Sequence, residues 1–120
     1  MQPEFALTSE RIEGDRQVIA VQGEIDLFTA PEFKVALGDA IDAGVNQIVV
    51  DLTETGFLDS TALGVLIGAI KRLRTHGGRL TIVNVDPAIA KTFEITGLDQ
   101  IFTLCATRDE ALAALDQATA

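Results

Sequence analysis

The 120-residue chain has no tryptophan or tyrosine, one cysteine, one histidine and three prolines. A lone Cys105 rules out an internal disulfide, and with a single His76 no Cys/His set has the spacing of a structural zinc site. Such a cysteine fits a reducing cytoplasm and reads as a buried strand residue. Six Phe are the only aromatics, so Leu, Ile, Val and Ala must fill the core, as suits sheets covered by helices. Basic residues are scarce: nine against eighteen acidic give a net charge of -9, which repels nucleic-acid phosphates and anionic lipid and excludes direct nucleic-acid binding. The longest apolar run, Ala62 to Ile70, ends at Lys71-Arg72, far short of the roughly 20 residues that cross a bilayer, so no membrane insertion is expected. The opening MQPEFALTSER lacks the basic-then-apolar order of an export signal, and a cytoplasmic protein is the expectation.

Catalytic signatures are missing as well. There is no G-x-x-x-x-G-K-[ST], no G-x-G-x-x-G and no G-x-S-x-G, which removes motif support for nucleotide hydrolysis, dinucleotide binding and α/β-hydrolase chemistry. The expectation is a protein that is not an enzyme and needs no cofactor or metal.

What is present is a globular composition, 48% hydrophobic and 22% charged, with no linker, repeat or low-complexity tract, so residues 1–120 read as one domain. Phe5 and Leu7 alternate with polar neighbours, Glu13-Gly14-Asp15 reads as a turn, and Val18 to Gln22 is β-rich, which predicts a hairpin. Thr29-x-x-Glu32 has capping-box spacing, with Pro31 tolerated in a first turn. Phe33, Ala36, Leu37, Ala40 and Ile41 follow at helical intervals until Gly44. Gln47 to Leu52 has the continuous apolar centre of a strand covered on both faces, and Thr53 to Asp59 reads as the connection to a helix carrying Leu63, Leu66, Ile67, Ile70 and Leu73. His76-Gly77-Gly78 closes that helix, the histidine facing its last carbonyls. Leu80 to Val85 predicts another strand, Asp86-Pro87 a short helix with Ile89 and Phe93, Ile101 to Cys105 an edge strand, and Thr107-x-x-Glu110 a last capped helix with Leu112 and Leu115. This alternation gives an α/β class, with a mixed sheet of four to five strands packed against about four helices.

In open α/β sheets the working surface lies at the carboxyl ends of the strands, here the segment TETGFLDS. Its end places Ser60 at or just before the first turn of a helix, where free N–H groups and the positive dipole end gather. Locally, Ser60 reads as an N-cap, Asp59 and Asp26 as turn or capping carboxylates, and Gly56 as a residue permitting an unusual turn. Asp51 reads as a strand-end turn residue, since the acidic pair and late lysine of a receiver domain are missing. Gly64 and Gly68 read as sites of close helix packing.

Gly23-Glu24-Ile25-Asp26, VVDLTETGFLDSTALGVL, Gly77-Gly78 and Lys91 to Leu98, in that order and spacing, resemble the STAS domain, shared by sulphate transporters and bacterial anti-sigma factor antagonists. The resemblance covers nearly the whole chain. It implies a protein that binds an anti-sigma factor with serine kinase activity until that kinase phosphorylates the serine after Asp in D-S-[ST], here Ser60, with a phosphatase resetting it. Thr61 stands where relatives often carry a second Ser, and Ala62 where they often carry Gly. The resemblance also implies that Asp26, Asp59, Ser60 and Thr61 face the partner. STAS domains serve too as constitutive scaffold subunits of stress-signalling or lipid and anion transport complexes, so that alternative stays open. An enzyme using the loop acids would instead act without any partner.

Overall fold

The computed structural model describes residues 4–116. The first three residues, part of the segment read for an export signal, lie outside them. Two strands, β1 (Ala6–Arg11) and β2 (Arg16–Ile25), form the expected antiparallel hairpin around Gly14, whose φ of 65° suits the turn. Helix α1 (Ala30–Asp42) leads to β3 (Gln47–Leu58), α2 (Ser60–Thr75) to β4 (Arg79–Val83), and α3 (Pro87–Ile95) with a 3₁₀ turn at Leu98–Gln100 to β5 (Thr103–Cys105). Helix α4 (Arg108–Asp116) follows. The sheet runs β1-β2-β3-β4-β5, with every pair after the hairpin parallel, which is the mixed α/β sheet expected.

Strands that succeed one another in one direction through same-handed crossovers send the connecting helices to one face. That face carries the main core: Ile19, Val21 and Ile25 of β2 and Ile48, Val50 and Leu52 of β3 under Phe33, Leu37, Leu66, Leu73, Ile89 and Phe93. Each fully buried side chain of this size contributes roughly 1.5–3 kcal/mol. Phe93 meets Phe102 edge to face at 5.9 Å, fixing α3 to the lead-in of β5. The other face holds a smaller cluster, Val18, Val49 and Val83 beneath Ala111 and Leu115 of α4.

Several local expectations are corrected. β3 does not end at Leu52: Thr53 to Leu58 continue it beside β2, and Asp59 alone separates strand from helix. The polar TET stretch conceals this because the pairing slips by one residue twice, between Ala20/Gln22 and between Gly23/Glu24. Inward residues then fall at Leu52, Thr55 and Leu58, a spacing of three that no period-two template detects. Gly56 is the extra residue at the second slip and makes no unusual turn. The left-handed residue there is Gly23, at φ 89°.

The capping box also fails. Thr29 precedes α1, but its hydroxyl donates to Glu24 O at 2.8 Å and accepts from Asp26 N at 2.9 Å, so it binds the strand end and not the helix. Asp51 is not a strand-end residue: it lies within β3, 7% exposed. β4 stops at Val83, two residues early, and β5 begins at Thr103 and not Ile101. Cys105 is only partly buried, because β5 is the sheet edge; burial, then the charge of Glu110, pushes its thiol up. At α4, Glu110 N donates to Thr107 Oγ1 at 3.1 Å, as its spacing predicted.

Candidate functional site

β2 and β3 end side by side, with Ile25 opposite Leu58 and Asp59 N donating to Ile25 O at 3.1 Å. The chain therefore leaves both strands at one place, through Asp26 into α1 and through Asp59 into α2.

Asp26 builds the first exit. Its Oδ1 accepts from Phe28 N at 2.9 Å and Thr29 N at 3.1 Å, while its carbonyl accepts from Ala30 N at 2.7 Å. With the Thr29 hydroxyl bound back to Glu24, residues 26–29 form a closed turn whose backbone groups have few alternatives. This turn holds two large apolar side chains in solvent: Leu27 is 64% exposed and Phe28 87%. Phe57, 48% exposed, stands near the end of the neighbouring strand.

Asp59 builds the second exit. Extended backbone at φ -108° and ψ -173° lets its carboxylate accept from Ala62 N at 3.1 Å, so Asp59 and not Ser60 is the N-cap of α2. Ser60 becomes the first helical residue and Thr61 the second; both are exposed, and no side-chain hydrogen bond occupies either hydroxyl among the described residues. Ser60 thus sits over the free N–H groups of the first turn with its oxygen uncommitted. The structure brings Asp26, Asp59, Ser60 and Thr61 to the same end of the sheet. Leu27, Phe28 and Phe57 were not singled out from sequence, although an apolar Leu-Phe pair in the turn after Gly23-Glu24-Ile25-Asp26 was the available signal.

Elsewhere His76 caps α2, its Nδ1 3.0 Å from Arg72 O, as expected. Gly64 and Gly68 do not pack closely: a Cβ at either would meet nothing within 4 Å, correcting that reading. Among the described residues no His/Cys/Asp/Glu group could hold a metal ion and no helix is long and apolar enough to cross a membrane.

Residues 7–111 match the STAS domain. The chain belongs to that family. This STAS domain is 41% identical over 87 residues to an anti-sigma-B factor antagonist of Listeria monocytogenes, covering 72% of this chain and 75% of the relative. An anti-sigma factor antagonist from Mycobacterium paratuberculosis has a crystal structure similar to it, with a TM-score of 0.86 and 32% identity over 95% of this chain and 96% of that one. The Bacillus cell fate determinant SpoIIAA in its phosphorylated form aligns at TM-score 0.73 and 26% identity, covering 91% of this STAS domain and 98% of that chain.

Proposed function

We propose that this STAS domain is an anti-sigma factor antagonist that binds an anti-sigma factor with serine kinase activity, and is switched off when that kinase phosphorylates Ser60. The observation that carries the reading is an exposed, uncommitted serine hydroxyl at the first residue of α2, at the end of the sheet where Leu27, Phe28 and Phe57 are also solvent-exposed. Exposed large apolar side chains gathered at one end of a domain mark a surface made to be covered, and aromatics are favoured anchors. Relatives named as anti-sigma factor antagonists, and one solved in a phosphorylated form, support the same reading. It regulates transcription indirectly and is not itself an enzyme. A phosphatase resets the serine.

The switch is electrostatic. A phosphoserine adds about -1.5 to -2 charges. The dipole of α2 returns roughly 0.3–1 kcal/mol near its N-terminus, so the fold survives. A partner carboxylate about 6 Å away would cost roughly 3 kcal/mol per added charge at an effective dielectric near 20. Repulsion across the interface therefore exceeds accommodation within the domain, and the backbone barely moves.

The test is to mix the protein with anti-sigma kinases and ATP, map phosphopeptides, and compare binding of Ser60→Ala and Ser60→Asp. Phosphate on Ser60, retained binding by the alanine variant and lost binding by the aspartate variant are expected. Widespread amide shifts in distant strands on phosphorylation would rule out a local switch. Absence of phosphorylation, with both variants binding a membrane complex equally, would instead establish a constitutive scaffold.

A further inference from the structure

Helices α1 and α2 run side by side on one face of the sheet and leave between them an open groove of about 540 Å³. It starts at Leu27 and Thr61, beside the phosphoacceptor, and ends at Ile41 and Arg72. From Thr61 to Arg72 the length is about 16 Å, three helical turns. Leu37, Val65 and Ala69 give it an apolar wall, and the empty space over Gly64 and Gly68 keeps it open.

Its lining is cationic, a character it shares with the more polar trough at Arg74 and Arg79. Among the described residues two cations, Lys34 and Arg72, line the groove and no acid does, in a chain of net charge -9. Arg72 is shared with Asp42 at 2.6 Å, whereas Lys34 has no acidic partner among the described residues.

We infer that this groove receives an acidic amphipathic helix of the anti-sigma partner, with its apolar stripe against Leu37 and Val65 and a carboxylate directed at Lys34. The inference rests on the antagonist reading and adds the chemistry of the partner's docking element. An acidic segment is repelled by most of this surface, and of the two cation-lined troughs only the one between α1 and α2 is predominantly apolar, so it is the one that admits an amphipathic helix. A trough between two helices accepts a third by the packing of ridges into grooves, and three turns accommodate anchors at i, i+4, i+7 and i+11. Because the groove opens beside Ser60, the helix reaches it from a partner whose kinase centre faces the serine.

The probe is the anti-sigma kinase that modifies Ser60, titrated calorimetrically against the full unmodified chain, Gly68→Leu and Lys34→Glu. A Cβ at Gly68 meets nothing within 4 Å, so Gly68→Leu projects into the trough, and it removes a helix glycine, so melting temperature should hold or rise. Its affinity should fall about 10-fold or more, and that of Lys34→Glu about 5-fold, the latter loss shrinking in high salt. Lys34→Glu alters an exposed side chain and keeps the test valid should the leucine variant unfold. Binding by the folded variants within about twofold of wild type overturns the groove but leaves the antagonist reading intact. Failure of any anti-sigma kinase to bind or phosphorylate the wild-type chain overturns that reading, and this inference with it.

Discussion

The guanidinium of Arg108 donates from Nε to Asp51 Oδ2 at 2.6 Å, joining the first residue of α4 to the middle of β3 across 57 positions of sequence. The other carboxylate oxygen accepts from Thr53 N at 2.9 Å and Thr53 Oγ1 at 2.5 Å. A buried charge thus has partners on both oxygens.

Removing Arg108 leaves that charge with Thr53 alone. Arg108→Leu should lower unfolding stability by about 1–3 kcal/mol, less than for a fully buried pair because the arginine is 45% exposed. Urea denaturation measures it, and the additional replacement Asp51→Asn should recover part of the loss.

The same contact makes stability depend on pH. Burial raises the Asp51 pKa, but hydrogen bonds from Thr53 and Arg108 and the arginine charge outweigh it and hold the carboxyl below its ordinary 3.8. A group depressed on folding stabilises above its unfolded pKa, and that contribution disappears as pH falls from about 3.8 through the lower folded value. Asp51→Asn should flatten this acid limb in melts recorded between neutral and acidic pH.

Asp59→Ala removes the cap of α2 and should cost about 1 kcal/mol, whereas Asp59→Ser keeps an acceptor and most of the stability. Thermal melts of the two variants separate capping from any contact with the kinase, because a partner contact needing charge is lost in both.

Asp26 allows a cleaner separation. Asp26→Asn retains an oxygen for Phe28 N and Thr29 N and should keep stability within about 0.5 kcal/mol of wild type, while Asp26→Ala loses both bonds and about 1–2 kcal/mol. A drop in kinase affinity for the asparagine variant at unchanged stability would show that the carboxylate charge itself meets the partner.

Gly78 is needed for space. A Cβ there would lie 2.4 Å from Asn46 O, beside the bond from Arg79 N to the same oxygen. Gly78→Ala should destabilise by about 1–3 kcal/mol in chemical denaturation, whereas Gly64→Ala on the open face of α2 should be neutral or stabilising.

The sequence by itself determined what local chemistry can encode: a hairpin around Gly14, alternating strands and helices, stops at Gly44 and Gly77, and the D-S-T signature at the start of α2. Those follow from period, turn residues and caps, which act within a few positions along the chain. Only the tertiary structure decided that Thr53 to Leu58 remain in the sheet, since polar residues are held there by two register slips against β2. Between Ser60 and Asp59, both open to a capping role in the sequence, it chose Asp59 by fixing how the backbone leaves Leu58 next to Ile25. It alone brought Arg108 to Asp51 and opened the groove between α1 and α2. Each of these depends on where distant segments meet, and that is set by burial of the whole core, which no local pattern specifies.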